Sequence, residues 1–307
     1  MKVVLLAGGT GGAKMAHGLQ QILPPGDLTV IVNVGDDTEW MGLLVCPDID
    51  TILYTLAGVA DRERGWGVEG DTFTALAMLA RYGQQTWFQV GDADLATHVR
   101  RNQLLREGAS LTDATADMAS AQGVPSHLVP ATDDRLRTLV ETDDGWVDFQ
   151  DYFVRRGQAD AVRSLRFEGA EAAHPSPAAL AALAAAELVV IGPSNPLVSV
   201  GPTLAIPGMR DATLAAPAPR IGISGIVAGR ALRGPADRML VSLGHDSSAV
   251  GVARLYQGLL DRFVVDEADA SLAPQIEALG MQVSVLPTVM RSEADRAELA
   301  RSIVALA

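Results

Sequence analysis

The chain has 307 residues, 48% of them hydrophobic and 20% charged, a balance that suits a packed globular protein and excludes a disordered one. Its formal charge of -13 argues against a partner such as DNA or RNA, because that binding rests on Lys and Arg neutralising phosphates, but it leaves room for one nucleotide held by backbone N–H groups. Cys46 is the only cysteine, so neither an intrachain disulfide nor a Cys-based zinc cluster can form, which fits a reducing, cytoplasmic setting.

In chain order, Val3–Leu6 is a short continuous apolar run that passes at once into Gly8-Gly9-Thr10-Gly11-Gly12. It is too short for a signal peptide and reads as a first strand, buried on both faces. Ala13–Leu23 reads as a helix ended by Pro24-Pro25-Gly26, and Leu28–Val34 as a second strand, completing one βαβ unit. From Asp48 to about Thr115 the pattern is mainly helical, clearest over Thr51–Val59, Thr72–Tyr82 and His98–Arg106. Thr138–Val154 reads as extended, with a turn at Asp143-Asp144-Gly145. Pro175–Ala186 is an alanine-rich helix, Leu188–Ile191 a buried strand, Arg220–Ile226 and Arg262–Val265 further strands, and Ala249–Leu260 a helix between them. The nearest approach to a membrane span, Ala178–Ile191, is short and interrupted by Glu187. The expected architecture is a single α/β domain over residues 1–307: a Rossmann-like parallel sheet flanked by helices. Its core is expected at roughly 1–47 and 175–307, with a mainly helical insertion and a short β excursion at roughly 48–174.

Ligands of open parallel sheets bind beyond the carboxyl ends of the strands. Three polar loops occupy such places. Gly8–Lys14 offers glycines that let a phosphate approach the backbone, a helix N-terminus, and the point charge of Lys14; the plainer reading is a tight turn. It lacks the Gly-Lys-Ser/Thr of a P-loop, and Lys14 takes the place of the third glycine of a dinucleotide fingerprint. Asn33-Val34-Gly35-Asp36-Asp37, with Asp48 and Asp50 close behind, collects four carboxylates that repel unless a cation sits among them. Magnesium beside a diphosphate is the natural candidate, and helix capping by Asp48 or Asp50 the alternative. Gly192-Pro193-Ser194-Asn195-Pro196, followed by Ser199, is a proline-stiffened platform of hydrogen-bonding groups or simply a rigid turn. His98 and Arg101 share a helix face by their spacing, and Asp94 is placed to cap that helix. Trp40, Trp66 and Trp87 read as packing residues, with contact to a planar ligand the alternative.

These segments, together with Pro47–Tyr54, Trp66-Gly67, Asp71-Thr72-Phe73, Gly91-Asp92, Ala96-Thr97-His98, Gly108–Thr112, Phe149-Gln150 and Gly234-Pro235-Ala236, run in the same order along almost the whole chain as in a known family. The sequence resembles the 2-phospho-L-lactate transferases of coenzyme F420 biosynthesis. The resemblance implies a magnesium-dependent enzyme that forms homodimers. It implies a donor in which guanosine diphosphate carries a lactate-like acid, and an acceptor, the deazaflavin alcohol Fo, whose ribityl hydroxyl attacks the distal phosphorus and releases GMP. Carried onto this chain, it implies Asp37, Asp48 and Asp50 as catalytic and metal residues, Asp50 first for contact with Fo. Gly9, Thr10, Gly11, Gly12, Lys14, Asn33, Asp71, Gln89, His98, Arg101, Ser194, Asn195, Pro196 and Ser199 are implied around the substrates. Gln89 stands where some relatives carry a basic residue, and Gly225 follows Ser224 where Pro often stands. The transferred acid, whether phospholactate, phosphoenolpyruvate or phosphoglycerate, stays open at this point.

Other readings share parts of the pattern. The nucleotide-sugar-binding regulators of the gluconeogenesis and morphology branch resemble the first loop and the Asn-Val-Gly-Asp-Asp motif, but their double Asp leads into a Gly/Ser-rich run, unlike Thr38-Glu39-Trp40 here. Nucleotidyltransferases open on a similar Leu-Ala-Gly-Gly but usually place an Arg soon after it.

Overall fold

The computed structural model describes residues 1–307. Seven parallel strands form the central sheet. Their order across it is Gln282–Leu286, Arg262–Asp266, Arg220–Ile223, Leu188–Ile191, Val3–Ala7, Leu28–Val32 and His127–Pro130. Val3–Ala7 and Leu188–Ile191 are buried at every position. This explains why they read as unbroken apolar runs rather than alternating ones; each such Val, Leu or Ile contributes roughly 1.5–3 kcal/mol by leaving water. From the first strand the chain winds outward to His127–Pro130, then returns to pair Leu188–Ile191 on the opposite side of Val3–Ala7. The topological switch point therefore lies between the ends of Val3–Ala7 and Leu188–Ile191, where the two glycine-bearing turns begin.

The helix after the first strand starts at Gly9 rather than Ala13. Glycines are weak helix formers, and tertiary bonds anchor this first turn: the Ser194 hydroxyl accepts from the Gly8 N–H at 3.2 Å and donates to the Gly8 carbonyl at 2.8 Å. The residues expected as an insertion are woven into the core at two places. The Pro47–Ala57 helix buries Ile49, Ile52, Leu53 and Tyr54 in the main cluster, and His127–Pro130 is the edge strand beside Leu28–Val32. Trp40, Val45, Leu76 and Val90 form a small satellite core.

The extended reading of Thr138–Val154 holds as far as Asp148. Arg137–Thr142 pairs antiparallel with Gly145–Asp148 and with Ser164–Glu168, and Asp151–Arg155 is a π-helical turn. That turn forms because Phe149 and Tyr152 pack with Val140, Val198 and Met239 in a core of their own. Two segments unassigned from the sequence are regular: the edge strand Gln282–Leu286 and the helix Glu293–Val304, which opens on a Ser292/Asp295 capping box. No helix is long and apolar enough to cross a membrane.

Candidate functional site

A cavity of about 670 Å³ opens at the switch point. It is lined by Gly8–Gly11, Asp36, Asp48, Asp50, Ser194, Asn195 and Ser199 and by Trp87, Phe88, Gln89, Phe149 and Phe153. The two turns meet closely. A Cβ on Gly11 would lie 2.2 Å from the Pro193 carbonyl oxygen, and one on Gly8 would lie 2.3 Å from Asp48 Oδ2, so side chains are excluded where the backbone faces the ligand space. Gly9 adopts φ +62°, which turns its N–H toward the acidic residues at little steric cost.

Asn33, fully buried at the end of the second strand, organises the carboxylates. Its Nδ2 donates to Asp48 Oδ2 at 2.9 Å, to Asp36 Oδ1 at 3.1 Å and to the Val198 carbonyl at 3.2 Å, while its Oδ1 accepts from the Gly35 N–H at 2.9 Å. Asp48 Oδ1 accepts from the Gly9 N–H at 2.7 Å. Burial pushes the Asp48 carboxyl up to about 6 against these bonds. Burial and then the neighbouring Asp48 push Asp36 well above the ordinary carboxylate range. One shared amide is all that stands between two buried acids facing a cavity.

Asp50 is arranged differently. Its carboxylate is ion-paired with the fully buried Arg101, and His98 Nδ1 lies 3.6 Å from Oδ2. Arg101 also approaches His98 Nδ1 at 3.4 Å. His98 Nε2 is buried without a hydrogen-bond partner and lies 3.4 Å from Asp94 Oδ1. Asp94 in turn accepts from the Tyr54 hydroxyl at 2.7 Å.

These charges decide where a divalent cation fits. No group of three or more His, Cys, Asp or Glu side chains converges on a metal-binding geometry. Asp50 is already neutralised by Arg101. Asp36 and Asp48 have no cationic partner, are pushed toward protonation, and face the cavity. Two carboxylates completed by phosphate oxygens and water are a donor set that suits magnesium.

The cavity gathers Gly9, Thr10, Gly11, Asp48, Asp50, Gln89, His98, Ser194, Asn195 and Ser199 from the expected residues. It leaves others outside. Asp37 does not line the cavity, whereas its neighbour Asp36 does; Asp37 is half-buried, with its Oδ1 enclosed and without a hydrogen-bond partner. Asp71 accepts from the N–H groups of Ala93 and Asp94 at 2.8 and 3.0 Å and so caps the Asp92–Arg106 helix. Gly12 packs against Ala7 and Ser194; Asn33 and Arg101 act from behind the cavity wall; Pro196 begins the buried π-helical turn Pro196–Val200. Lys14 projects into a smaller neighbouring space, its Nζ donating to the Met290 carbonyl at 3.0 Å.

The family model described as 2-phospho-L-lactate transferase CofD matches residues 3–297. The chain belongs to this family. It is 42% identical to the phosphoenolpyruvate transferase of Streptomyces griseus, with 100% of this chain and 98% of that protein covered. It is 39% identical to the 2-phospho-L-lactate transferase of Methanosarcina mazei, covering 98% and 99%. The fold is also that of a crystallised UPF0052-family protein from Bacillus halodurans, with a TM-score of 0.62 at 17% identity over 99% of this chain and 98% of that one.

In this 2-phospho-L-lactate transferase family member, sequence reasoning passed over several cavity residues. Trp66 and Trp87 line it, although Trp40 is indeed a core residue. Phe149 and Phe153 stack with centroids 5.5 Å apart and planes at 19°, and Trp87 meets Phe88 edge-on at 5.8 Å. Tyr54, Arg64, Gln150 and Arg233 also line the space. A signal existed for Phe149-Gln150 in the family-like stretch; none separated Trp66 and Trp87 from packing residues.

Proposed function

We propose that this enzyme transfers a phospho-acid from a guanosine diphosphate donor to the ribityl hydroxyl of the deazaflavin Fo, releasing GMP, in coenzyme F420 biosynthesis. The observation that carries the reading is the meeting, in one cavity, of the glycine turn, the Asp36–Asp48–Asp50 group and a wall of aromatic rings. The first suits a diphosphate and the last a planar tricycle. Phosphoenolpyruvate is the preferred acid, because six relatives at 41–44% identity carry the name phosphoenolpyruvate transferase, against 37–39% for the two archaeal 2-phospho-L-lactate transferases.

In this reading the Gly8–Gly11 backbone and the Ser199 side chain receive the diphosphate, and the aromatic wall receives the deazaflavin ring. Asp36 and Asp48 would hold magnesium, which when bound neutralises charge on the diphosphate. Asp50, fixed by Arg101, accepts a hydrogen bond from the ribityl hydroxyl and aims it in line with the distal phosphorus. The hydroxyl oxygen forms the new P–O bond, the bridging P–O bond breaks, and GMP leaves with the electron pair. The hydroxyl proton passes to Asp50, the carboxylate that already receives it as a hydrogen bond. Such a displacement needs positioning and charge neutralisation more than covalent chemistry.

Fluorescence titration with Fo tests this directly: saturable binding that GDP leaves intact supports it, and no binding refutes it. The enzyme is also expected to be a cytoplasmic homodimer; a light-scattering mass of a single chain would remove the dimer.

A further inference from the structure

Beside the main cavity lies a smaller space of about 100 Å³. Thr10, Thr51, Tyr54, Trp66 and Arg233 line both, so the annex begins where the glycine turn ends. Thr10, Lys14 and His17 reach it from one face of the Gly9–Ile22 helix, Thr51 and Thr55 from the Pro47–Ala57 helix, and Arg296 from the Glu293–Val304 helix. Asp61 and Arg62 close it.

Its charge balance is unusual for a protein of net charge -13. Asp61 is engaged by Arg64 at 2.7 Å, and Arg62 by Glu293 at 2.6 Å. Lys14, Arg233 and Arg296 have no carboxylate partner: Lys14 donates to the Met290 carbonyl, Arg233 to the Arg64 carbonyl, and Arg296 approaches His17 Nδ1 at 3.4 Å. The Nε of Arg296 is buried with no hydrogen-bond partner at all, a condition that calls for a missing acceptor. Burial and then mutual repulsion lower Lys14, with Arg296 and Arg233 as its opponents. Burial and Arg62 lower Arg296, and burial and Arg296 lower His17, which therefore stays neutral. Three crowded cations and an orphan donor are relieved by one anionic group, and the volume suits a carboxylate or a single phosphate rather than a nucleoside.

We propose that this annex is the subsite for the carboxylate of the donor's acid, with Arg296 and Lys14 as the residues that recognise it. The assignment rests on the reading of the main cavity as the diphosphate and deazaflavin site. A donor threaded along the glycine turn has its distal phosphate at Gly9–Gly11, and the acid attached to that phosphate extends past Thr10 into the annex. The annex thereby separates a guanosine diphosphate that carries an acid from GDP itself.

Steady-state kinetics of Arg296→Gln and Lys14→Gln, with guanosine diphosphate esterified on its terminal phosphate to enolpyruvate as donor, test the proposal. Each lost charge-assisted contact raises the donor KM about tenfold or more, while the inhibition constant of GDP and the affinity for Fo stay within about twofold. Arg296→Lys, which keeps a charge, retains most of the donor affinity. A donor KM unchanged in both Gln variants, or a GDP inhibition constant that rises in step with it, overturns the assignment. Phosphoenolpyruvate alone provides an arm independent of the nucleotide reading: it should raise the melting temperature of the wild type and not of the Lys14→Gln/Arg296→Gln double variant. If that holds while neither GDP nor Fo binds, the annex stands and the reading of the main cavity falls; if the two proteins respond alike, the annex is not an anion site.

Discussion

Arg101 and Asp50 form an ion pair from which water is excluded, with Arg101 wholly buried and Asp50 nearly so. The pair fixes the Asp50 carboxylate at the cavity margin, where the attacking hydroxyl is expected, and makes this acid unlike its neighbours Asp36 and Asp48, which have no cation.

Breaking a buried pair by removing one partner leaves the other charge stranded and costs roughly 3–5 kcal/mol. Arg101→Met and Asp50→Asn are both expected to lower the urea midpoint by that order, and Asp50→Asn to abolish transfer even at temperatures where it remains folded. The double variant Asp50→Leu/Arg101→Met should recover much of the stability and none of the turnover. Near-normal turnover by folded Asp50→Asn would remove this residue from the chemistry.

The raised Asp48 and Asp36 carboxyls predict a pH dependence of stability with a definite sign. Asp48 rises from an ordinary 3.8 to about 6, so between these values the folded state holds a proton that the unfolded state has lost. Stability is then present at low pH and falls as pH rises through about 6; Asp36 adds to the fall in the same direction. The melting temperature of the ligand-free protein should decline across this interval, and Asp48→Asn should flatten the decline. Magnesium added at neutral pH should restore the wild type and act weakly on Asp48→Asn.

Gly11 and Gly192 bracket the meeting of the two turns but differ in tolerance. A Cβ at Gly11 strikes a backbone carbonyl at 2.2 Å, whereas at Gly192 the nearest atom is 3.4 Å away on the Leu5 side chain. Gly11→Ala is therefore expected to force the turns apart and reduce turnover about 100-fold, since misplacement near 1 Å has that effect. Gly192→Ala should be far milder in the same assay.

The aromatic wall should serve Fo and not the nucleotide. Trp87→Ala and Phe149→Ala are expected to weaken Fo binding about 3–10-fold each, the range of a single aromatic contact, with GDP affinity unchanged. Fluorescence and calorimetric titrations read the two ligands separately.

The strands at the switch point were legible in the sequence because Val3–Ala7 and Leu188–Ile191 are buried on both faces and so carry no polar residue. The edge strands were not. Gln282–Leu286 is half exposed and mixes Gln and Ser with its Val and Leu, and His127–Pro130 is four residues long and ends in a proline. The glycine turn and the acidic segment were legible as motifs, but the choice between Asp36 and Asp37 depends on the path of one turn, which adjacent letters do not encode. The capping role of Asp71 joins residues about twenty apart. The pairing of Arg101 with Asp50 spans fifty-one residues, beyond any local pattern.

The most direct test of the central claim is a turnover assay with Fo, magnesium and each candidate guanosine diphosphate donor, read by product mass. The expected product equals Fo plus the phospho-acid, with one GMP released per product and no product once a chelator removes magnesium. Absence of any Fo adduct with all three donors, or an undiminished yield in the chelator, would contradict that claim.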